Sequence, residues 1–152
     1  MLTSEEQTRY ARQIMMPEIG EAGQERLKQS CVLVIGAGGL GSPAAYYLAA
    51  AGVGTIGIAD GDNVELSNLQ RQILHEESRL GQNKADSAVR TLRGLNSHTE
   101  VRTYPYFLDA ATLKELVQSY DIVIDAADQL RNKFMINDVC VAAKKPFVHG
   151  GI

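Results

Sequence analysis

The sequence has no tryptophan, two cysteines and three histidines in 152 residues. Cys31 and Cys140 lie far apart in apolar segments, and no CxxC motif occurs, which excludes a disulfide scaffold and predicts a reducing, cytoplasmic setting. No apolar segment approaches the roughly 20 residues of a membrane-spanning helix, so we expect no membrane partner. Basic residues number 15 and acidic residues 18. Because nucleic-acid binding normally needs a basic surface, we expect no nucleic-acid partner either.

What is present is typical of a folded domain, with 45% hydrophobic and 22% charged residues. The polar and acidic beginning, MLTSEEQTRY, is unlike a secretory signal, which starts with basic residues followed by an apolar stretch. The length suits one domain with a sizeable core.

The apolar periodicity predicts an N-terminal helical arm over residues 1–29 and an α/β domain over residues 30–152. Short apolar runs predict buried parallel strands at 31–35, 54–59, 101–107, 121–125 and 146–149. Helices are expected at 5–15, 23–29, 40–51, 83–95, 111–119 and 130–143. This alternation indicates a Rossmann-like, doubly wound and mainly parallel sheet with helices on both faces. Such a sheet usually continues, so we expect the domain to be incomplete at its C-terminus.

A glycine-rich motif, GxGxxG, lies between the first predicted strand and the first long helix. Its glycines are Gly36, Gly38, Gly39 and Gly41, and Asp60 ends the next strand. Glycines permit a tight turn and close backbone approach to phosphate at a helix N-terminus, and the acid can accept from ribose hydroxyls. The alternative is that the glycines only allow close strand–helix packing. The motif predicts a nucleotide site and leaves NAD, FAD and ATP open.

The polar connection over residues 61–81 is long for a compact domain, and such loops are usually functional. It contributes Asp62, Asn68, Arg71 and Gln72 and is followed by Lys84. Two fixed cations in this connection, taken together with a metal-binding acid, would suit a triphosphate better than a dinucleotide. The simpler alternatives are a turn role for Asn68 and solvated surface charges for Arg71 and Lys84.

Two further carboxylates, Asp125 and Asp128, follow the fourth predicted strand. With strand order 3-2-1-4, both face the glycine loop across the crevice between strands one and four. A carboxylate beside phosphates requires a cation, and Mg²⁺ is commonly bound by one or two carboxylates together with substrate phosphates. We therefore expect a magnesium ion bound by one or both of these carboxylates. The alternative is that Asp128 only caps the following helix.

At this point the sequence resembles the N-terminal portion of the ThiF/MoeB/HesA family, bacterial relatives of ubiquitin-activating enzymes. The matching segments run in family order over nearly the whole chain. They are RYARQI at 9–14, the glycine loop through GVG at 52–54, DxDxVxxSNLxRQ at 60–72, GxxK at 81–84 and DAAD at 125–128. The SNLxRQ segment is the most specific of them.

The resemblance implies ATP-dependent adenylation of the C-terminal glycine carboxylate of a ubiquitin-fold sulfur-carrier protein ending in Gly-Gly, in thiamine or molybdenum-cofactor sulfur transfer. It implies that Asp60 binds the ribose, that Mg²⁺ binds Asp128 and that Arg12 reaches the triphosphate from the other subunit of a homodimer. The catalytic residues would be Arg12, Arg71, Lys84 and Asp128. The nucleotide-binding residues would be Gly36, Gly38, Gly39, Gly41, Asp60, Asp62, Asn68, Arg71, Gln72 and Lys84.

The sequence departs from the family in two respects. Gln129 follows the metal-binding acid, where the family often has Asn. Later sequence, which in relatives supplies carrier contacts, paired CxxC zinc ligands and any transfer cysteine, does not occur in this chain. A second hypothesis is therefore a truncated or degenerate module that binds nucleotide or dimerises without catalysis. A third, a fragment of an NAD-dependent dehydrogenase, explains the glycine motif and Asp60 but not SNLQRQ or Asp128.

Overall fold

The computed structural model describes residues 1–151, which form seven α-helices and five strands. The helices are α1 (Ser4–Arg9), α2 (Ala11–Ile14), α3 (Gly20–Gln29), α4 (Gly41–Ala51), α5 (Lys84–Leu95), α6 (Ala110–Leu116) and α7 (Leu130–Ala142). The strands are β1 (Cys31–Ile35), β2 (Thr55–Ala59), β3 (Glu100–Tyr104), β4 (Ile122–Asp125) and β5 (Phe147–His149). Single 3₁₀ turns cover Leu66–Asn68, Glu77–Arg79 and Val117–Ser119.

All five strands are parallel, in the order β3-β2-β1-β4-β5. Leu33 on β1 lies opposite Gly57 on β2 and Val123 on β4. The order reverses between β1 and β4, where open α/β sheets form their ligand crevice. The predicted fold class and strand order are confirmed, and the sheet is parallel throughout the described residues rather than mainly so.

Both faces of the sheet are buried, which explains the continuous apolar runs of the central strands. On β1, Val32 and Val34 point into the core beneath α4 and α5, together with Ile56 of β2. Leu33 and Ile35 point into the other core, beneath α6 and α7. Cys140 lies fully buried in this second core, and burial raises the pKa of its thiol. Cys140 is therefore a residue of the core.

The N-terminal arm is broken at Tyr10, where one continuous helix was expected over residues 5–15. The Tyr10 side chain is buried, and its hydroxyl accepts a hydrogen bond from Nδ2 of Asn96 at 2.7 Å. Tyr10 has φ −99° and ψ 13°, outside the helical region, so the chain changes direction there. Gln24 of α3 is also fully buried and donates to the carbonyl of Ala51. The arm thus packs against the C-terminal end of α4.

None of the helices formed within residues 1–151 has the length and apolar character that crossing a bilayer would require.

A candidate nucleotide site at the switch point

Two glycines of the motif are required for packing. Gly36 has φ +99°, and a methyl group added there would lie 2.6 Å from the carbonyl oxygen of Ala126. A methyl group added at Gly41 would lie 1.7 Å from the carbonyl oxygen of Gly36. The turn between β1 and α4 therefore presses against itself and against the segment after β4. For Gly36 and Gly41, the packing explanation holds.

The other two glycines are less crowded. A methyl group at Gly38 would lie 3.7 Å from Nε2 of Gln72, and one at Gly39 would lie 3.4 Å from Cδ of Arg71. Within residues 1–151 the backbone N–H groups of Gly38, Gly39 and Leu40 donate no hydrogen bond. Free amides at a helix N-terminus attract anions. This part of the loop has the chemistry of a phosphate site.

Asp60 lies at the carboxyl end of β2 and binds the glycine loop directly. One carboxylate oxygen accepts from the backbone N–H of Ala37 at 2.7 Å, and the other accepts from that of Asp62 at 2.8 Å. A carboxylate oxygen has two lone pairs, so each can still accept a second hydrogen bond. Asp60 also lines the crevice, which leaves it available to a ribose hydroxyl.

The long connection after β2 is ordered, and its ends are tied together. Val64 donates its backbone N–H to Gln82 at 2.8 Å, and Gly81 donates to the carbonyl of Val64 at 2.9 Å. Leu74, in the middle of the connection, is fully buried in the core. The anchored connection passes over the glycine loop and brings Arg71 and Gln72 against it.

Two amide side chains lie in this connection. Oδ1 of Asn68 accepts from the backbone N–H of Glu65 at 3.3 Å, so Asn68 has the turn role that was the alternative for it. Gln72 is only 4% exposed, and its Oε1 has no hydrogen-bond partner among residues 1–151. A buried amide without a partner is costly, so a polar ligand beside Gly38 would be stabilised there.

The two predicted cations have different environments. Lys84, the first residue of α5, is buried, and its Nζ lies 3.5 Å from Oδ2 of Asp62. Arg71 is exposed and donates from Nη1 to the carbonyl of Ser67 at 3.3 Å. The surface-charge alternative is wrong for Lys84. Asp62 is thereby a partner of Lys84 within the protein.

A crevice of about 310 Å³ opens between the ends of the strands. Gly36 and Asp60 line one side of it, and Asp128 and Gln129 line the other. Asp128 is exposed, and its carboxylate makes no hydrogen bond or ion pair in the described part of the chain. The residue that caps α7 is Gln129, and it does so without a side-chain hydrogen bond. The alternative that Asp128 caps this helix is wrong.

The donor chemistry at Asp128 fits magnesium. No group of three or more His, Cys, Asp or Glu side chains suited to a metal ion occurs in residues 1–151. Mg²⁺ does not require such a group, because it usually retains several waters and binds one or two carboxylates together with phosphates. The unpaired carboxylate of Asp128 can serve as the protein ligand of such an ion, and the free amides across the crevice can hold the phosphates.

Asp125 lies elsewhere than expected, and Arg12, for which the resemblance implies a role in the other subunit, lies away from the crevice of its own chain. Asp125 is fully buried, and its Oδ2 bonds Nδ1 of His149 at 2.7 Å and lies 3.6 Å from Nζ of Lys133. It faces β5 and α7 rather than the glycine loop. Arg12 is exposed on α2, and its neighbour Gln13 donates to Ala51, at the opposite end of α4 from the glycine loop. The chain does not bring its own Arg12 to the crevice.

One wall of the crevice was missed by sequence reasoning. The predicted third strand extended to residue 107, but β3 ends at Tyr104, and Tyr106, Phe107 and Leu108 turn into the crevice. The ring of Phe107 covers Gly61. Asn132 and Met135 of α7 line the same space. This wall could have been predicted, because the carboxyl ends of the parallel strands β2 and β3 meet at the same edge of the sheet, so the segment after β3 lies beside the crevice.

Comparison with known proteins is consistent with this geometry. The chain is 51% identical over 142 residues to the adenylyltransferase and sulfurtransferase MOCS3-1 of Zea mays and 51% identical over 149 residues to MOCS3 of Culex quinquefasciatus. The Escherichia coli tRNA N6-threonylcarbamoyladenosine dehydratase TcdA, solved in complex with ATP, superposes with a TM-score of 0.92 at 29% identity. Escherichia coli MccB, solved with MccA-N7isoASN, gives 0.83 at 32% identity.

These alignments cover 93% and 98% of this chain for the two curated relatives and 99% and 94% for the two structures. They cover 30% and 34% of the curated relatives and 62% and 44% of the solved chains. The chain thus spans about a third of the length of the curated relatives it matches. The model described as the ThiF family matches residues 10–152, and the chain belongs to this family.

Proposed function

We propose that the chain is the nucleotide-binding part of an ATP-dependent adenylyltransferase. Its substrate is the C-terminal glycine carboxylate of a ubiquitin-fold sulfur-carrier protein that ends in Gly-Gly, and its products are an acyl adenylate and pyrophosphate. The sulfur transfer it serves is of the thiamine or molybdenum-cofactor type. The observation that carries this proposal is the placement of free loop amides beside Arg71 and Gln72, with the unpaired carboxylate of Asp128 across the crevice.

The names of the relatives support the proposal. The proteins of maize and Culex are both named adenylyltransferase and sulfurtransferase, and TcdA was solved with ATP. The crevice volume of about 310 Å³ lies at the lower end of the range of about 300–1,000 Å³ found for small-molecule sites. It is adjacent to the free amides, so a nucleoside in the crevice would have its phosphates beside the glycine loop.

The reaction requires no general base. A C-terminal carboxylate has a pKa of about 3.3–3.7 and is already ionised at neutral pH. The protein has to hold this anion against the α-phosphate and stabilise the departing pyrophosphate, which is a task of position and charge. A site with two cations and no catalytic histidine or cysteine is suited to that task.

The proposed roles follow the geometry. Asp60 accepts from the ribose, and the amides of Gly38 and Gly39 donate to phosphate oxygens. Arg71 and Lys84 compensate the negative charge of the phosphates. Lys84 can exchange its contact with Asp62 for a contact with a phosphate. Asn68 and Gln72 lie beside these residues, and the partnerless Oε1 of Gln72 is available to a polar ligand. Mg²⁺, when bound at Asp128, supplies additional charge neutralisation.

The remaining parts of the proposal concern the assembly. We place the enzyme in the cytoplasm as a homodimer, in which Arg12 of one subunit reaches the triphosphate of the other. Arg12 is exposed and lies near the C-terminal end of α4, whereas the glycine loop of the same subunit lies at the N-terminal end. Both facts are compatible with a role in the other subunit.

Pyrophosphate exchange into ATP, measured with a diglycine-ended carrier, tests the proposal. The wild-type chain is compared with Asp128→Ala and with Asp138→Ala, which removes an exposed carboxylate from α7, the helix that follows Asp128. We expect exchange in wild type and Asp138→Ala, and a loss of about 100-fold or more in Asp128→Ala, comparable to removal of one electrostatic contact in an active site.

Two other results would redirect the assignment. Thermal stabilisation by MgATP without exchange would support a nucleotide-binding module that lacks catalysis. Stabilisation by NAD and not by MgATP would contradict the adenylation proposal and support a dehydrogenase fragment.

A further inference from the structure

His75 joins the glycine loop to helix α5. The residue is only 7% exposed, and both of its ring nitrogens have partners. Nε2 lies 2.9 Å from the carbonyl oxygen of Ala37, inside the glycine motif. Nδ1 lies 3.0 Å from Oγ of Ser87, which is itself fully buried. No other described side chain connects these two segments through both ends of one ring.

The partners fix one proton of the ring. A carbonyl oxygen can only accept, so Nε2 carries a proton, and in the neutral ring Nδ1 accepts from the hydroxyl of Ser87. This is the neutral tautomer, with both nitrogens satisfied. Burial is the main cause that lowers the pKa of His75. The hydrogen bond to Ala37 and the charge of Asp60 raise the pKa, and the charges of Lys84 and Arg79 lower it further. The ring is therefore neutral at physiological pH.

The bond to Ala37 controls the direction of a phosphate-binding amide. The carbonyl of Ala37 and the N–H of Gly38 belong to one planar trans peptide group and point in opposite directions. His75 and Ser42 both donate to this carbonyl, and Asp60 accepts from the N–H of Ala37. With the carbonyl bound from the protein side, the N–H of Gly38 points away from His75.

The bond to Ser87 controls the other side of the site. Ser87 lies three residues after Lys84 on α5, almost one helical turn, and so on the same face of the helix. Arg79 donates from Nη1 to the backbone carbonyl of Ser87. The position of the buried Lys84 stem is thereby linked, through Ser87 and His75, to the peptide that carries the Gly38 amide.

We propose that His75 is a positioning residue, which holds the Gly38 amide and Lys84 in the single arrangement that binds the triphosphate, and that protonation of its ring releases this link. The proposal rests on the nucleotide-binding function proposed above. Protonation would place a hydrogen on Nδ1, so that the bond to Ser87 persists only if the hydroxyl reorients to accept, and would add a positive charge close to Lys84 and Arg79. Burial and the neighbouring cations hold the pKa of His75 below its usual value of 6.5. The link is therefore intact at neutral pH and is lost only as the pH falls through this lowered pKa.

The test compares the dissociation constant of MgATP for wild type, His75→Gln, His75→Ala and His98→Gln from pH 8 to pH 5. The terminal nitrogen of glutamine can donate to Ala37 as Nε2 does, but it does not titrate. His98 lies on the protein surface against Glu5 and serves as the matched control. Taking each profile relative to that of His75→Gln removes the titration of the nucleotide's own phosphates, which occurs in the same pH range.

At pH 8 we expect His75→Gln to bind within about threefold of wild type and His75→Ala to bind about tenfold or more weakly, the effect of one hydrogen bond to the loop. Below pH 6.5 we expect wild type and His98→Gln to lose affinity more steeply than His75→Gln. A merely structural role would change the melting temperature without changing the pH profile of the folded protein.

Equal pH profiles for wild type and His75→Gln would overturn the proposal, as would wild-type affinity in a folded His75→Ala. If His75→Ala does not fold, the comparison of the pH profiles of wild type and His75→Gln decides whether the proposal holds. Failure of wild type to bind MgATP at pH 8 would instead reject the nucleotide-binding function itself, and this inference with it. The two failures are therefore distinguishable.

Discussion

Substitution of single glycines by alanine distinguishes the two roles of the glycine motif, which are close packing and phosphate binding. Gly36 has φ +99°, where a side chain costs about 1–3 kcal/mol. Its added methyl group would also lie 2.6 Å from the carbonyl oxygen of Ala126, and displacing packed neighbours costs about another 1–3 kcal/mol. Gly36→Ala should therefore lower the free energy of unfolding by about 2–6 kcal/mol.

Gly38→Ala is the matched comparison, because the same methyl group meets nothing closer than 3.7 Å there and the backbone φ is not positive. At about 2–4 °C per kcal/mol, we expect the melting temperature of Gly36→Ala to fall by at least about 4 °C. For Gly38→Ala we expect a change below about 2 °C but MgATP affinity about tenfold weaker or worse, because the methyl group obstructs close approach of phosphate.

The measurements are thermal unfolding followed by circular dichroism and titration with MgATP of the folded variants. Wild-type stability in Gly36→Ala would contradict the packing argument. Wild-type affinity in a stable Gly38→Ala would contradict the assignment of a phosphate site to this loop.

Two further predictions concern stability. Lys28 lies 2.8 Å from Glu6, and its hydrogen bond is the main cause that lowers the pKa of this buried carboxyl to about 2. The ionised Glu6 therefore stabilises the fold fully above pH 4.5, and this contribution is lost as the pH falls from 4.5 towards 2. In urea unfolding, we expect Glu6→Gln to be about 1–3 kcal/mol less stable than wild type at pH 7, and this difference in the free energy of unfolding should become smaller below pH 4.5. A difference that does not change with pH would refute the argument. Tyr104→Phe should cost about 1–3 kcal/mol in the same assay, because it leaves the buried hydroxyl of Tyr120 without its partner at 2.9 Å, whereas Tyr106→Phe, on the exposed wall, should leave stability unchanged.

Much of the fold could be read from local pattern. Continuous apolar runs predicted β1, β2 and β4 within one residue of their observed bounds, because strands buried on both faces need apolar side chains in succession. The break at Tyr10 was not predictable in this way. It depends on the contact of Tyr10 with Asn96, 86 positions later in the chain, and a helical periodicity carries no information about such a contact.

The same division holds for the site. GxGxxG and Asp60 indicated a nucleotide site, because their spacing follows from one strand–turn–helix unit and the strand after it, and SNLQRQ carried the resemblance to the family. The predicted strand order made both Asp125 and Asp128 face the glycine loop, however, and the structure separates them. Asp125 is buried against His149 and Lys133, and Asp128 is unpaired at the crevice. Which carboxylate meets the crevice is decided by neighbours from β5 and α7.

The sequence by itself determined the α/β class, the parallel order and the chemistry gathered at the switch point, since these depend on periodicity and on short, local spacings. Only the tertiary structure decided which glycines serve packing and which leave amides free, that Lys84 is buried beside Asp62, and that residues 106–108 wall the crevice. It also decided that a neutral, buried His75 connects the glycine loop to α5. The physical reason is that burial, charge pairing and the direction of a peptide group are set by neighbours distant in the chain, which local pattern does not specify.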